Sequence, residues 1–115
     1  MKIPNLYGGN KIIMEHHPYI TLNDGTEITY SDIKINKENE LYVTIYFETP
    51  SEKYGFCDAS IDYPGTGEFN VINHYTVDQL TNIIFHYNKI KDLVLDFAKE
   101  DTNFEKEEND ICQII

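Results

Sequence analysis

The four histidines are the first residues to examine for metal binding or acid–base chemistry. His16 and His17 are adjacent, so on a strand their side chains would point to opposite faces and would not share one ion. His74 and His86 are twelve residues apart, and neither an HExxH nor a CxxC motif accompanies them. The histidine spacing therefore predicts no metal site and no cofactor.

Nucleophilic chemistry has equally little support. Cys57 falls at an inward position of a predicted strand, where a thiol behaves as a small apolar side chain. The chain contains two cysteines, too few and too far apart for a disulfide framework. The serines lack a nucleophile-elbow context, and the sequence Gly65-Thr66-Gly67 precedes a strand where a phosphate loop would precede a helix. We therefore expect a protein that is not an enzyme.

The carboxylates Asp58 and Asp62 are the remaining candidates for catalysis. They are four residues apart on one predicted strand, which separates them by roughly 13 Å. This exceeds the separation at which paired carboxylates cooperate in glycoside hydrolysis. A residue on a neighbouring strand, such as Glu48, could come closer, but a solvated sheet face is the favoured interpretation.

One long helix is predicted to position these strands. Thr76 and Gln79 have the spacing of a capping box, and apolar residues follow at three- and four-residue steps up to Ala98. The pattern predicts a helix over residues 77–100. Four of its side chains are expected to be buried against Val43, Ile45 and Ile61; these are Leu80, Ile84, Tyr87 and Val94.

Short strands precede the helix. Asp24-Gly25 predicts a hairpin turn between Tyr19–Leu22 and Thr26–Tyr30. The strongest strands are Glu40–Glu48 and Phe56–Tyr63; weaker candidates are 11–14, 33–35 and 68–74. The fold class is therefore predicted as α+β: a small antiparallel β-sheet, a meander of about five to six strands, with one long C-terminal helix packed across one face. Residues 1–100 are expected to form a single domain, and residues 101–115 an acidic, flexible tail in which residues 101–110 lack regular structure.

The charge balance restricts the possible partners. Twenty acidic and nine basic residues give a net charge of −11, and all nine basic residues are lysines. Without arginine or a basic patch, direct binding to nucleic acid or to an anionic membrane is not expected. A positively charged protein partner would be attracted. No apolar run is long enough for a signal peptide or a transmembrane helix, so a cytoplasmic location is expected.

The sheet face away from the helix is the predicted site of action. Tyrosine combines contact area with a polar tip, and alternation places tyrosines and carboxylates together on this face. Phe85 falls among polar residues on the helix surface, where an exposed ring can anchor a partner. The predicted partner-binding residues are Tyr42, Tyr46, Glu48, Asp58, Asp62 and Phe85. Two hypotheses lead: a module that binds a basic protein, and a structural module whose Tyr-rich face is a homodimer interface. An enzyme that uses surface carboxylates is a third, weaker one.

In size, charge and composition, the chain is similar to small acidic inhibitors such as anti-CRISPR proteins, anti-restriction proteins and immunity proteins of bacterial toxins. This similarity involves no motif, so it assigns no role to any residue. It implies an inhibitor that masks a positively charged surface of a nuclease or another nucleic-acid-handling protein, by imitating nucleic acid. A composition rich in Ile, Asn and Lys and free of Arg is typical of an AT-rich coding genome, in a bacterium or its phage.

Overall fold

The computed structural model describes residues 16–113, with side chains described for residues 16–101. Within this range, six strands form one sheet: β1 (His17–Thr21), β2 (Glu27–Tyr30), β3 (Lys34–Ile35), β4 (Leu41–Ser51), β5 (Gly55–Tyr63) and β6 (Phe69–Asn73). The order is β1-β2-β4-β5-β6, with β3 also paired to β4, and all pairs are antiparallel. Helix α1 (Val77–Gln113) follows. The predicted α+β meander is thereby confirmed, while the strand predicted at residues 11–14 lies outside the described residues.

The predicted hairpin joins β1 and β2. Gly25 has a φ angle of 90°, a backbone conformation that residues with a Cβ rarely adopt. Its N–H donates to the Leu22 carbonyl at 3.0 Å, and the Thr26 N–H donates to the Asp24 carboxylate at 2.9 Å. These local bonds fix a register in which Thr21 lies opposite Glu27.

Strands β2 and β3 pair with the same side of β4 and are separated by a bulge. From Tyr30 to Lys34 the chain advances four residues while the facing stretch of β4, from Ile45 to Tyr42, advances three. Ser31 spans the gap: its N–H donates to the Thr44 carbonyl at 2.9 Å, and its hydroxyl accepts from the Thr44 N–H at 3.0 Å. At the bulge, the Ser31 N–H and both backbone polar groups of Thr44 therefore keep hydrogen-bond partners.

The predicted capping box starts α1. The Thr76 N–H donates to Gln79 Oε1 at 2.9 Å, and the Gln79 N–H donates to Thr76 Oγ1 at 3.1 Å. Each side chain therefore satisfies a backbone donor that has no partner within the helix.

Within the described residues, no helix has an apolar segment long enough to cross a membrane.

The core lies between α1 and one face of the sheet. Tyr87 and Val94 are buried, together with Val43, Ile45 and Ile61, as predicted. The expectation for Ile84 is wrong, because this side chain is 42% exposed, and Leu80 is only half-buried. The buried stripe is centred on Ile83, Tyr87, Val94 and Ala98. Each residue turns the helix by about 100°, so the residue after Ile83 already lies beyond the edge of this stripe.

The predicted end of the helix near residue 100 is also wrong. The helix continues to Gln113, so residues 101–110 are helical and not irregular. This segment contains neither glycine nor proline, and its glutamates and lysine are good helix formers. Helical hydrogen bonds are local, so an acidic sequence does not prevent the helix from continuing. The flexibility of residues 101–115 stays a prediction.

Polar bonds attach the helix and its leading loop to the sheet. The Tyr30 hydroxyl donates to Asp101 at 2.6 Å, and the Tyr63 hydroxyl donates to Asp92. At the other end, the buried Thr49 hydroxyl lies 2.7 Å from both the Thr26 hydroxyl and the Tyr75 hydroxyl. These contacts position α1 on one face of the sheet and leave the opposite face, called the outer face below, to the polar side chains.

Candidate protein-binding surface

Three carboxylates lie side by side on the outer face. Glu27 on β2 lies opposite Glu48 on β4, and Glu48 in turn lies opposite Asp58 on β5. Directly opposed side chains on neighbouring strands have Cβ atoms about 4.5–5.5 Å apart. We call Glu27, Glu48 and Asp58 the acidic row.

The acidic row is not neutralised within the described part of the chain. None of its carboxylates forms an ion pair there, and the one hydrogen-bond donor to the row is the Asn73 amide, 3.3 Å from each oxygen of Asp58. Like charges directly opposite each other on neighbouring strands are destabilising. A cation supplied from outside the molecule would relieve this repulsion.

The acidic row borders a concavity of about 560 Å³ on the outer face. Tyr46 lies two residues from Glu48 on β4, and the His16 ring stacks on it with centroids 3.9 Å apart. Nδ1 of His16 is also 3.2 Å from the Thr29 hydroxyl. The concavity therefore has a carboxylate side and an aromatic side.

Ser60 lies in this concavity, directly opposite Tyr46. It is only 8% exposed, and its hydroxyl has no hydrogen-bond partner among the described residues. Thr44, buried on the same face, is different: its hydroxyl accepts from Lys34 Nζ at 2.9 Å and donates to Asp62 at 2.7 Å. A buried hydroxyl without a protein partner costs free energy, so the Ser60 hydroxyl is available to a hydrogen-bond donor that enters the concavity.

The structure divides the predicted partner-binding residues among three places. Tyr46, Glu48 and Asp58 come together at the concavity. Asp62 lies farther along β5, where its Oδ1 accepts from Thr44 and from the Asn70 amide at 2.9 Å. Tyr42 lies at the same end, with Lys34 Nζ 5.7 Å from its ring centre. That end of the outer face is hydrogen-bonded internally and offers less free acceptor capacity.

Phe85 lies on the exposed side of α1, away from the outer face. The ring is 56% exposed, as its position among polar residues predicts, and Lys89 Nζ lies 4.8 Å from its centre. Its role as a second anchor stays a prediction.

The predicted partner-binding residues did not include Glu27, Ser60 or His16. Alternation from Thr29 places Glu27 on the outer face, and this signal is visible in the sequence. The neighbour of Glu27 is not visible, because it depends on the pairing of β2 with β4. The unpaired state of the Ser60 hydroxyl also depends on its spatial neighbours.

The other titratable candidates have structural partners. His17 Nε2 lies 2.6 Å from Asp32, and Cys57 is buried, as predicted, with its thiol 3.5 Å from the His74 carbonyl. Among the described residues, no group of three or more His, Cys, Asp or Glu side chains is placed to hold a metal ion.

The fold and the outer face together define a small antiparallel α+β protein with an acidic, partly aromatic concave surface. Comparisons of the chain with protein-family models, with curated proteins and with solved structures found no match.

Proposed function

We propose that this protein is a non-enzymatic, cytoplasmic protein-binding module that masks a positively charged surface of a nucleic-acid-handling protein, in the manner of the small acidic inhibitors named above. The observation that carries the proposal is the acidic row, three opposed carboxylates beside Tyr46 that form no ion pair within the described residues. Such a surface supplies the charge that a phosphate-binding site on another protein accepts.

In this proposal, one physical effect raises the association rate and another supplies the affinity. The net charge of −11 steers a basic partner toward the molecule and raises the association rate. Exposed ion pairs are each worth only about 0–1 kcal/mol, so affinity comes from groups that lose water in the complex. Tyr46 and the concavity beside it supply this desolvated contact.

A homodimer through the same face is the second candidate, motivated by its tyrosines. The acidic row counts against it, because two copies that meet through this face would bring their unneutralised carboxylates together. A basic partner would instead neutralise these carboxylates and reduce the repulsion among them. The basic-partner proposal is therefore the better supported of the two.

The test compares two double variants that each remove two negative charges. Glu48→Gln/Asp58→Asn neutralises the acidic row, and Asp96→Asn/Glu100→Gln neutralises exposed carboxylates on α1. Each protein is immobilised and exposed to a panel of purified basic nucleases and toxins at increasing salt. We expect at least one panel member to bind the parent and the helix variant, with an affinity that falls steeply with salt.

Two results would contradict the proposal: equal capture by the acidic-row variant and the parent, or no capture by the parent. Sedimentation of the free protein examines the second candidate. A concentration-dependent dimer that Glu48→Gln/Asp58→Asn tightens would favour the homodimer.

A further inference from the structure

We infer that the concavity on the outer face binds the guanidinium group of an arginine side chain, which the partner inserts between Glu48 and Asp58 with Ser60 beneath it. This inference rests on the proposed function and specifies the group that the partner contributes. It follows from the kinds of polar atoms in the concavity, from their spacing and from the state of Ser60.

The polar atoms of the concavity are mainly acceptors. The three carboxylates of the acidic row accept hydrogen bonds and do not donate, and the Ser60 hydroxyl can accept as well. No lysine lines the concavity among the described residues. A guanidinium group carries five N–H donors and no acceptor, so it complements this set of atoms.

The placement of two carboxylates on neighbouring strands suits a planar, forked donor. Glu48 and Asp58 are directly opposed on neighbouring strands, with Cβ atoms about 4.5–5.5 Å apart. A guanidinium placed between them directs N–H groups from different edges of its plane at both carboxylates. The rings of His16 and Tyr46, stacked on each other on the same face, form an aromatic side of the concavity, and a guanidinium packs against surfaces of this kind.

Ser60 provides an observation independent of the acidic row. Its side chain is buried in the concavity, and its hydroxyl has no partner among the described residues. An acidic surface that only faces water would not require a buried hydroxyl of this kind. It lies two residues from Asp58 on the same face and directly opposite Tyr46. An N–H that reaches past the carboxylates would satisfy this hydroxyl.

Arginine fits these features better than lysine. An ammonium group is a compact, strongly hydrated charge with three donors, and entry into a concavity requires it to lose much of that water. It cannot stack on a ring as a planar guanidinium does. The surface should therefore discriminate between the two cations.

The experiment is an NMR titration of the isotope-labelled protein with blocked Gly-Gly-Xaa-Gly-Gly peptides. Xaa is arginine, lysine or citrulline, the last of which is a neutral analogue of arginine. We expect the arginine peptide to shift the amide signals of Glu48, Asp58 and Ser60, and to bind at least about tenfold more tightly than the lysine peptide. The citrulline peptide should produce no saturable shifts.

Variants separate binding from folding. Glu48→Gln and Asp58→Asn should each weaken binding of the arginine peptide by about tenfold, and the control Asp96→Asn should not. Ser60→Ala should weaken binding severalfold while the melting temperature stays equal to that of the parent or rises, because the hydroxyl that it removes is unpaired.

Equal affinity for the arginine and lysine peptides, or a Ser60→Ala variant that melts earlier and binds normally, would overturn the inference. The proposed function and the arginine site can be disproved independently of each other. If the panel of basic proteins is captured and the arginine peptide shows no preference, a basic partner remains and the arginine site is wrong. If the arginine peptide binds as expected and no panel member is captured, the arginine site remains and the partner class is wrong.

Discussion

At the scale of single residues, burial decides which apolar side chains stabilise the fold. Val94 and Leu93 are neighbours on α1, yet Val94 is 0% exposed and Leu93 is 53% exposed. Only Val94 faces the sheet, so the two side chains form a matched pair for mutation.

We predict that Val94→Ala lowers the free energy of unfolding by about 2 kcal/mol, because it leaves a cavity in the core. Leu93→Ala removes more atoms but should change that free energy by no more than about 0.5 kcal/mol, since its side chain already meets water. Urea denaturation followed by circular dichroism measures both values. Similar losses for the two variants would contradict the described face of α1.

Residue-level patterns predicted part of the outer face. Alternation along β4 and β5 correctly places Tyr46, Glu48 and Asp58 on a different face from Ile45 and Ile61. It does not show which polar groups find partners. Thr44 and Ser60 have the same predicted orientation, but only the hydroxyl of Thr44 is hydrogen-bonded within the described residues.

At the scale of elements, the side chains of α1 that the structure describes, up to Asp101, contact the sheet along one stripe. The last residues of the helix with described contacts to the sheet are near Ala98, which is fully buried, and Asp101, which accepts from the Tyr30 hydroxyl. Two truncations on either side of this boundary test where the helix stops contributing to stability.

Removal of residues 103–115 should leave the melting temperature almost unchanged, because it retains Ala98 and Asp101. Removal of residues 98–115 should lower it by several degrees, since the core then loses Ala98 and Tyr30 loses its acceptor. Differential scanning calorimetry measures both. A large loss from the shorter truncation would mean that the last helical segment or the residues after it pack on the fold.

At the scale of the whole molecule, several tyrosines make the stability of the fold depend on pH in the alkaline range. Burial raises the pKa of Tyr87 to about 12, and burial together with the hydrogen bond to Asp101 raises the pKa of Tyr30. Tyrosine in an unfolded chain has a pKa of about 10. The folded state therefore favours the protonated phenols.

Because the folded-state pKa is the higher one, this contribution to stability is complete below pH ~10 and is lost as the pH rises from about 10 to 12. We predict that the melting temperature falls over this interval and that Tyr87→Phe, which cannot ionise, falls less steeply. Thermal denaturation between about pH 8 and 12 measures both slopes, and the values near pH 8 serve as the packing control. Identical slopes would contradict the pKa shift of Tyr87.

The sequence alone determined the features that depend on near neighbours in the chain. These are the Asp24-Gly25 hairpin, the capping box of Thr76 and Gln79, the two faces of β4 and β5, and the net charge of −11. Turn chemistry, capping and side-chain periodicity act over a few residues, so they can be predicted without knowledge of the rest of the fold.

The tertiary structure alone decided which side chains meet across strands and across layers. Glu27 lies next to Glu48 because β2 pairs with β4, Ser60 is left without a partner within the described residues, and Ile84 is left at the edge of the helix–sheet contact. Such contacts depend on pairing between segments that are distant along the chain. Local patterns carry no information on that pairing, since the same alternation fits several strand orders.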